Sequence, residues 1–329
     1  MRPVPLDYSA TSERPAWASL PTEVRQGVAA ICGSSIASAA PPVRSGFTGS
    51  YAGVLTLDGG RRVFVKVGGP ALPHVVTALA READVLPQLG ELDCAPRLLG
   101  SSAIQTRGEG DWRVLVLDLI DGVQPGDPWC PGHPDAVAAA CVDVARIRGS
   151  RACAITTASL GEEIGEDEHA LTAIDELVAG RVGWPDGIPA IGADARRDLA
   201  RLAAKASAAL HGDALVHSDL RPDNLLIERG GQARIVDWNW VMLGPPWVDL
   251  AGLFPFFSWG GVDIRPYAAL PLFDGVPADD VDAFFAILVG YLIHGQDEQP
   301  PPGCTPALRA HQRFLTAACL DLLRARRDW

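Results

Sequence analysis

Residues 215–227 read LVHSDLRPDNLLI, and residues 234–241 read RIVDWNWV. Short β-type runs, ALV, LLI and RIV, lie among a His, an Asp two residues on, an Asn five beyond that, and a second Asp after the last run. A magnesium ion carried by a nucleoside triphosphate takes one or two protein oxygens and keeps the rest of its octahedron for phosphates and water. Asn224 and Asp237 offer such a pair. Asp219, free of metal duty on the same loop, suits an acid that orients a substrate hydroxyl and accepts its proton. Arg221 sits where a cation would steady a transferred phosphoryl group, and His217 is expected to brace the loop.

HSDLRPDN matches H-x-D-x-x-x-x-N, the catalytic-loop spacing of kinases, and VDW occupies the place of their metal-binding D-F-G segment. The spacing carries the reading, because HxD alone recurs by chance: His211 and Asp213 repeat it, but the position five beyond Asp213 is Ser218 rather than Asn.

The N-terminal part supplies an independent test. Such a site needs a lysine on a strand to contact the phosphates, a glutamate on the next helix to hold that lysine, and a turn of small residues over the phosphates. VRSGFTGSYAGVLTLDGGRRVFVKV (43–67) predicts three antiparallel strands, with DGG at 58–60 as a hairpin signal. Lys66 falls in VFVKV, the third strand, and is the only lysine before residue 205. Glu82 falls in HVVTALAREADVLPQLG (74–90), whose apolar residues recur at helical spacing before Gly90. SGFTGS (45–50) supplies Ser45, Gly46, Thr48, Gly49 and Ser50 as the phosphate turn, without the full G-x-G-x-x-G spelling.

These stretches, with LVLDLIDG and GPPWVDLAGL, span residues 45–254 in an order that resembles the aminoglycoside phosphotransferase family, small-molecule kinases of protein-kinase-like fold. The resemblance implies ATP or GTP bound between two lobes, with Mg2+, and the base read by the hinge, here Asp118, Leu119 and Ile120. It also implies that Asp249 braces the catalytic loop, where the residues alone would allow a helix N-cap. Ser218 departs from the Gly or Asn often found there, and the turn is short of glycines; both bear on nucleotide choice.

The expected fold is α+β, a protein-kinase-like pair of lobes: a loose leader over 1–20, a small β-rich lobe over 21–115, a hinge over 116–122 and a larger helical lobe over 123–329. PTEVRQGVAAI (21–31) predicts a helix, as do the Ala-rich stretches near 135–147, 168–180 and 194–211. With 329 residues, 48% hydrophobic and 21% charged, the chain has the composition of a globular protein with a large core. A net charge of −12 argues against a nucleic-acid or anionic-membrane surface. Seven scattered cysteines with no CxxC read as reduced thiols, and the first thirty residues show no signal peptide, so a cytoplasmic location is expected. The longest apolar run, AFFAILVGYLI (283–293), is too short to span a bilayer and predicts a buried helix.

Eleven residues separate Asp237 from Asp249, with no Ser/Thr-rich activation segment or A-P-E stretch, which favours a small acceptor over a peptide. GEEIGEDEH (161–169) and QDEQ (296–299) offer carboxylates for a cationic acceptor, although an acidic run is more often solvated surface. Asp297, Glu298 and Trp238 are the acceptor-binding candidates. The predicted function is transfer of the γ-phosphoryl of ATP or GTP to a hydroxyl of a small antibiotic-like acceptor, for which a cation is one candidate. The alternatives are a metabolic kinase for a sugar, choline-like or amino-acid hydroxyl, and a catalytically silent nucleotide-binding regulator.

Overall fold

A computed structural model describes residues 6–90, 92–107, 110–126, 128–181, 183–184, 186–295 and 298–329. An antiparallel five-stranded sheet is built from β1 (Ile36–Ala39), β2 (Tyr51–Leu57), β3 (Arg62–Gly68), β4 (Leu98–Thr106) and β5 (Gly110–Asp118), in the order β1-β2-β3-β5-β4. Side chains alternate across a strand, and β3 shows what that decides. Val63, Val65 and Val67 are at most 1% exposed and pack against Val24 and Val28 of helix α1 (Thr22–Cys32). Lys66 is therefore turned to the opposite face. There α2 (Pro73–Val85) covers the sheet with Val75, Leu79 and Ala83 around Leu115, the cross-strand partner of Lys66.

The 43–67 stretch contains two strands of this sheet, not three. The Asp58-Gly59-Gly60 turn between them has both glycines at positive φ, 92° and 87°, as a tight hairpin requires. The strand beside β2 is β1, upstream of the expected range, and pairs through Ser38↔Thr56. Residues 43–50 instead form an irregular crossing. β4 had no clear signature because LLGSSAIQT is largely small and polar; its pairing with β5 makes it a strand.

The remaining elements are β6 (Gly122–Val123), α3 (His133–Ala145), α4 (Ser150–Ile155), α5 (Leu160–Glu166), α6 (Glu168–Val178), α7 (Ala193–Ala203), α8 (Ala206–Ala209), β7 (Ala214–Val216), β8 (Leu225–Glu228), β9 (Ala233–Ile235), β10 (Met242–Gly244), α9 (Val248–Trp259), α10 (Arg265–Ala268), α11 (Ala278–Gly295) and α12 (Ala307–Arg327). The 283–293 run lies within α11, whose Val281, Phe285, Ile287, Val289 and Leu292 enter the large core. Among the described residues no helix is long and apolar enough to cross a membrane. The whole is α+β, a small antiparallel sheet lobe beside a larger helical region.

Residues 6–20 are not a loose leader. Tyr8 is 6% exposed and its hydroxyl lies 2.6 Å from Nδ1 of His311 on α12; Thr11 and Ser12 are buried, and Leu20 enters the core of the sheet lobe. The segment runs as a strap over the 44–50 crossing, with the Ser12 amide donating to the Arg44 carbonyl at 2.7 Å.

Candidate active site

β7 leads into His217, which is fully buried. Its Nε2 lies 3.0 Å from the Val236 carbonyl, an acceptor, so this nitrogen carries the proton and Nδ1 is left to accept from the Asp219 amide at 3.3 Å. Burial holds the imidazole below its ordinary pKa, which fits a neutral ring. The two oxygens of Asp249, in the first turn of α9, accept from the His217 amide at 2.7 Å and the Ser218 amide at 2.9 Å. Burial pushes this carboxyl up, and the amides of His217 and Ser218 work against that rise. Asp249 lies inside the helix, one residue past its start, and does not cap it.

Ser218 and Asp237 adopt φ of 61° and 72°, positive values uncommon for residues with a Cβ. Each costs on the order of 1–3 kcal/mol unless the surroundings hold it. For Ser218 the Asp249 carboxylate and a bond from its hydroxyl to the Trp240 carbonyl supply that hold.

Asp219, Arg221 and Asn224 form one network. Arg221 bonds Asp219 through Nη1 and Asp223 through Nε at 3.1 Å, and its guanidinium lies over the Phe47 ring at 5.2 Å. Asn224 Nδ2 donates to the Asp219 carbonyl at 2.7 Å, and the Val236 amide donates to the Asn224 carbonyl at 2.9 Å, which joins the loop to the Asp237 turn. Burial raises the Asp219 carboxyl, Arg221 lowers it, and Asp237 and Asp223 raise it again; the net shift is upward.

Across the cleft, Nζ of Lys66 lies 2.8 Å from both oxygens of Glu82 and 2.8 Å from Oδ1 of Asp237. Glu82 is fully buried. Burial opposes the Lys66 charge, but Asp237 and Glu82 outweigh it and hold the amine above its ordinary pKa. Burial pushes Asp237 up too, yet Lys66 draws it below the ordinary carboxylate range. With Oδ1 engaged by Lys66 and Asn239, the second oxygen of Asp237 and the side-chain oxygen of Asn224 are the hard donors for a magnesium ion. Among the described residues no three His, Cys, Asp or Glu side chains are grouped to hold a metal unaided.

β5 ends at Asp118, whose carboxylate accepts from the Arg97 amide at 2.7 Å, and Gly122 already pairs with Glu228. Leu119 and Ile120 thus lie in the short link between the lobes. The 45–50 turn closes onto the helical region: Gly49 donates to the Gly303 carbonyl and Thr305 to the Phe47 carbonyl, each at 2.9 Å.

Trp238 does not line an acceptor pocket. It is fully buried, edge-on to His217 with its indole N–H on the Ile235 carbonyl, because the positive φ at Asp237 tucks the next residue beneath the catalytic loop. Asp297 lies outside the described residues. Glu298 is exposed, with its carbonyl held by Arg309. The 161–169 run falls on α5 and the start of α6, with Glu163 on the helix and Asp167 at its end. Tyr291, 56% exposed on α11, was hidden in an apolar run; Tyr8, Arg14 and His311 had no local signal at all.

The family model described as "Phosphotransferase enzyme family" matches residues 41–279, well over half of the chain. No curated protein gives a significant match. Among solved structures, the chain is similar to an aminoglycoside phosphotransferase from Alicyclobacillus acidocaldarius, with 18% identity, TM-score 0.54, and coverage of 96% of this chain and 97% of that one. It is also similar to a thermostable mutant of the aminoglycoside phosphotransferase APH(4)-Ia in ternary complex with AMP-PNP and hygromycin B, with 13% identity, TM-score 0.61, and coverage of 94% and 100%. A Plasmodium vivax ethanolamine kinase matches with 13% identity, TM-score 0.54, and coverage of 88% and 83%. At these identities the likeness is one of fold.

Proposed function

We propose that this chain, which belongs to the phosphotransferase enzyme family, is a small-molecule kinase that transfers the γ-phosphoryl of ATP or GTP to a hydroxyl of a small cationic acceptor. The observation that carries the reading is that Lys66, held at 2.8 Å by Glu82 of its own lobe, lies 2.8 Å across the cleft from Asp237, whose turn is joined to the Asp219, Arg221 and Asn224 network. In this reading Lys66 contacts the phosphates and Glu82 keeps it in place. Asn224 and Asp237 hold magnesium, which would neutralise charge on the transferred group. Asp219 orients the acceptor hydroxyl and takes its proton, while Arg221 keeps the carboxylate ionised and aimed. His217 and Asp249 brace the loop from below.

A small acceptor is supported by the path after Asp237: the chain pairs at once as β10 with β7 and enters α9, leaving no segment on which a peptide would align. A cationic acceptor is supported by Glu163 on α5 and Asp167 at its end, since the bridge of Ser159 to Leu243 sets the start of α5 beside β10, the strand that follows the Asp237 turn. The test is incubation with magnesium and ATP or GTP against hydroxyl-bearing antibiotics and metabolites, read as a mass gain of about 80 Da, one phosphoryl group. Absence of turnover with every acceptor, despite magnesium-dependent nucleotide binding, would leave the silent regulator as the better reading.

A further inference from the structure

The N-terminal strap touches the phosphate turn through one side chain in particular. Nη1 of Arg14 donates to the Ser50 carbonyl at 2.6 Å and Nη2 to the Ser45 carbonyl at 2.7 Å, so a single guanidinium ties both ends of the turn. Its neighbours reinforce the grip: the Thr11 hydroxyl donates to the Gly46 carbonyl at 2.6 Å and the Ser12 hydroxyl to the Ser45 carbonyl at 3.2 Å. Gly46 is matched to this arrangement, since φ there is +84° and a Cβ would stand 2.9 Å from Nη2 of Arg14. The strap is fixed in turn by Thr305, whose hydroxyl donates to the Thr11 carbonyl at 2.6 Å.

The guanidinium is also close to the chemistry. Phe47, between the two carbonyls it holds, lies under the Arg221 guanidinium at 5.2 Å, so the turn that Arg14 ties is packed against the catalytic network. Its Nε is buried and finds no acceptor among the described residues. A buried N–H without a partner is unfavourable, and the guanidinium is kept in place by the two carbonyls that its other nitrogens hold.

Resting on the kinase reading above, we propose that Arg14 is a phosphate-positioning residue: it sets the shape of the 45–50 turn, and through it the place of the nucleotide phosphates, by holding the carbonyls at the two ends of the turn. A flexible turn poor in glycine then needs no G-x-G-x-x-G spelling, because a side chain from outside the sheet imposes the curvature that glycines otherwise permit.

The test is calorimetric binding of MgATP and adenosine, with MgGTP and guanosine in parallel, to wild type, Arg14→Ala and Arg14→Lys, each checked for folding by its thermal midpoint. Arg14→Ala should lose roughly ten- to a hundredfold in triphosphate affinity, the worth of hydrogen bonds to a charged group, with nucleoside affinity unchanged. Arg14→Lys keeps the charge but one amine cannot hold both carbonyls, so a smaller loss confined to the triphosphate is expected. Should Arg14→Ala not fold, Arg14→Lys decides the matter. Equal losses for triphosphate and nucleoside, or no loss in a folded variant, would overturn the proposal. A wild type that binds neither MgATP nor MgGTP would instead bring down the kinase reading itself.

Discussion

Lys66, on a strand of the small lobe, and Asp237, after the last strand of the 217–237 hairpin, form an ion pair of 2.8 Å although they lie 171 positions apart in the chain. The lysine is shared with Glu82, so its charge stands between a fully buried carboxylate and one that opens to the cleft.

Removing the buried partner should therefore cost both stability and nucleotide binding. Glu82→Ala is expected to destabilise the protein by about 3 kcal/mol, the low end for breaking a buried pair because Asp237 still answers Lys66. Urea unfolding measures it, and a change within error of zero would mean that the pair contributes nothing to the fold.

Asp219→Asn should keep nucleotide binding and lower turnover by roughly 10²- to 10⁴-fold, the range for a positioned base. The ionised carboxylate is the active form and its pKa is raised, so wild-type turnover should decline with falling pH at a value above the ordinary 3.9 or so. Arg221 lowers that pKa, so Arg221→Gln should move the acidic limb to higher pH. A limb that stays in place would separate Arg221 from the base.

Asp237→Ala should weaken binding of the magnesium-nucleotide far more than of the metal-free nucleotide. Calorimetry with and without magnesium reads this directly, and equal losses would show that Asp237 is no ligand.

Stability should fall on mild acidification. Burial holds His217 and His311 below their ordinary pKa, so the folded state binds fewer protons than the unfolded chain. Their contribution is complete above about pH 6.5 and is lost as pH falls through the folded values, at about 1.4 kcal/mol per pH unit for each histidine. His311→Asn, which can still accept from the Tyr8 hydroxyl, should flatten that slope by one histidine's share; an unchanged slope would place the proton uptake elsewhere.

For a cationic acceptor, Glu163→Gln with Asp167→Asn should raise the Michaelis constant and leave turnover almost unchanged, the mark of lost uniform binding. The wild-type constant should also rise with salt, since screening shortens the reach of the carboxylates to about 8 Å at physiological ionic strength. A best acceptor that is neutral, or a constant indifferent to both changes, would favour a metabolic hydroxyl compound.

Local spacing was enough to place the 217–237 hairpin, because these residues sit on short strands joined by tight turns whose geometry the chain length itself restricts. It was enough for Lys66 as well, since strand alternation with Val63, Val65 and Val67 on the core face leaves the lysine only the cleft face. What depends on packing between distant segments had no such signal. Trp238 could be read as pocket or core until the positive φ at Asp237 turned it under His217. A strap rich in Pro, Ser and Ala has neither helical nor strand period, so Tyr8 and Arg14 acquire their roles only from partners elsewhere, His311 lying 303 residues from Tyr8 and Ser50 lying 36 residues from Arg14. Contacts over such separations are set by how the two lobes and the C-terminal helix close on one another, a property of the folded chain that no window of the sequence contains.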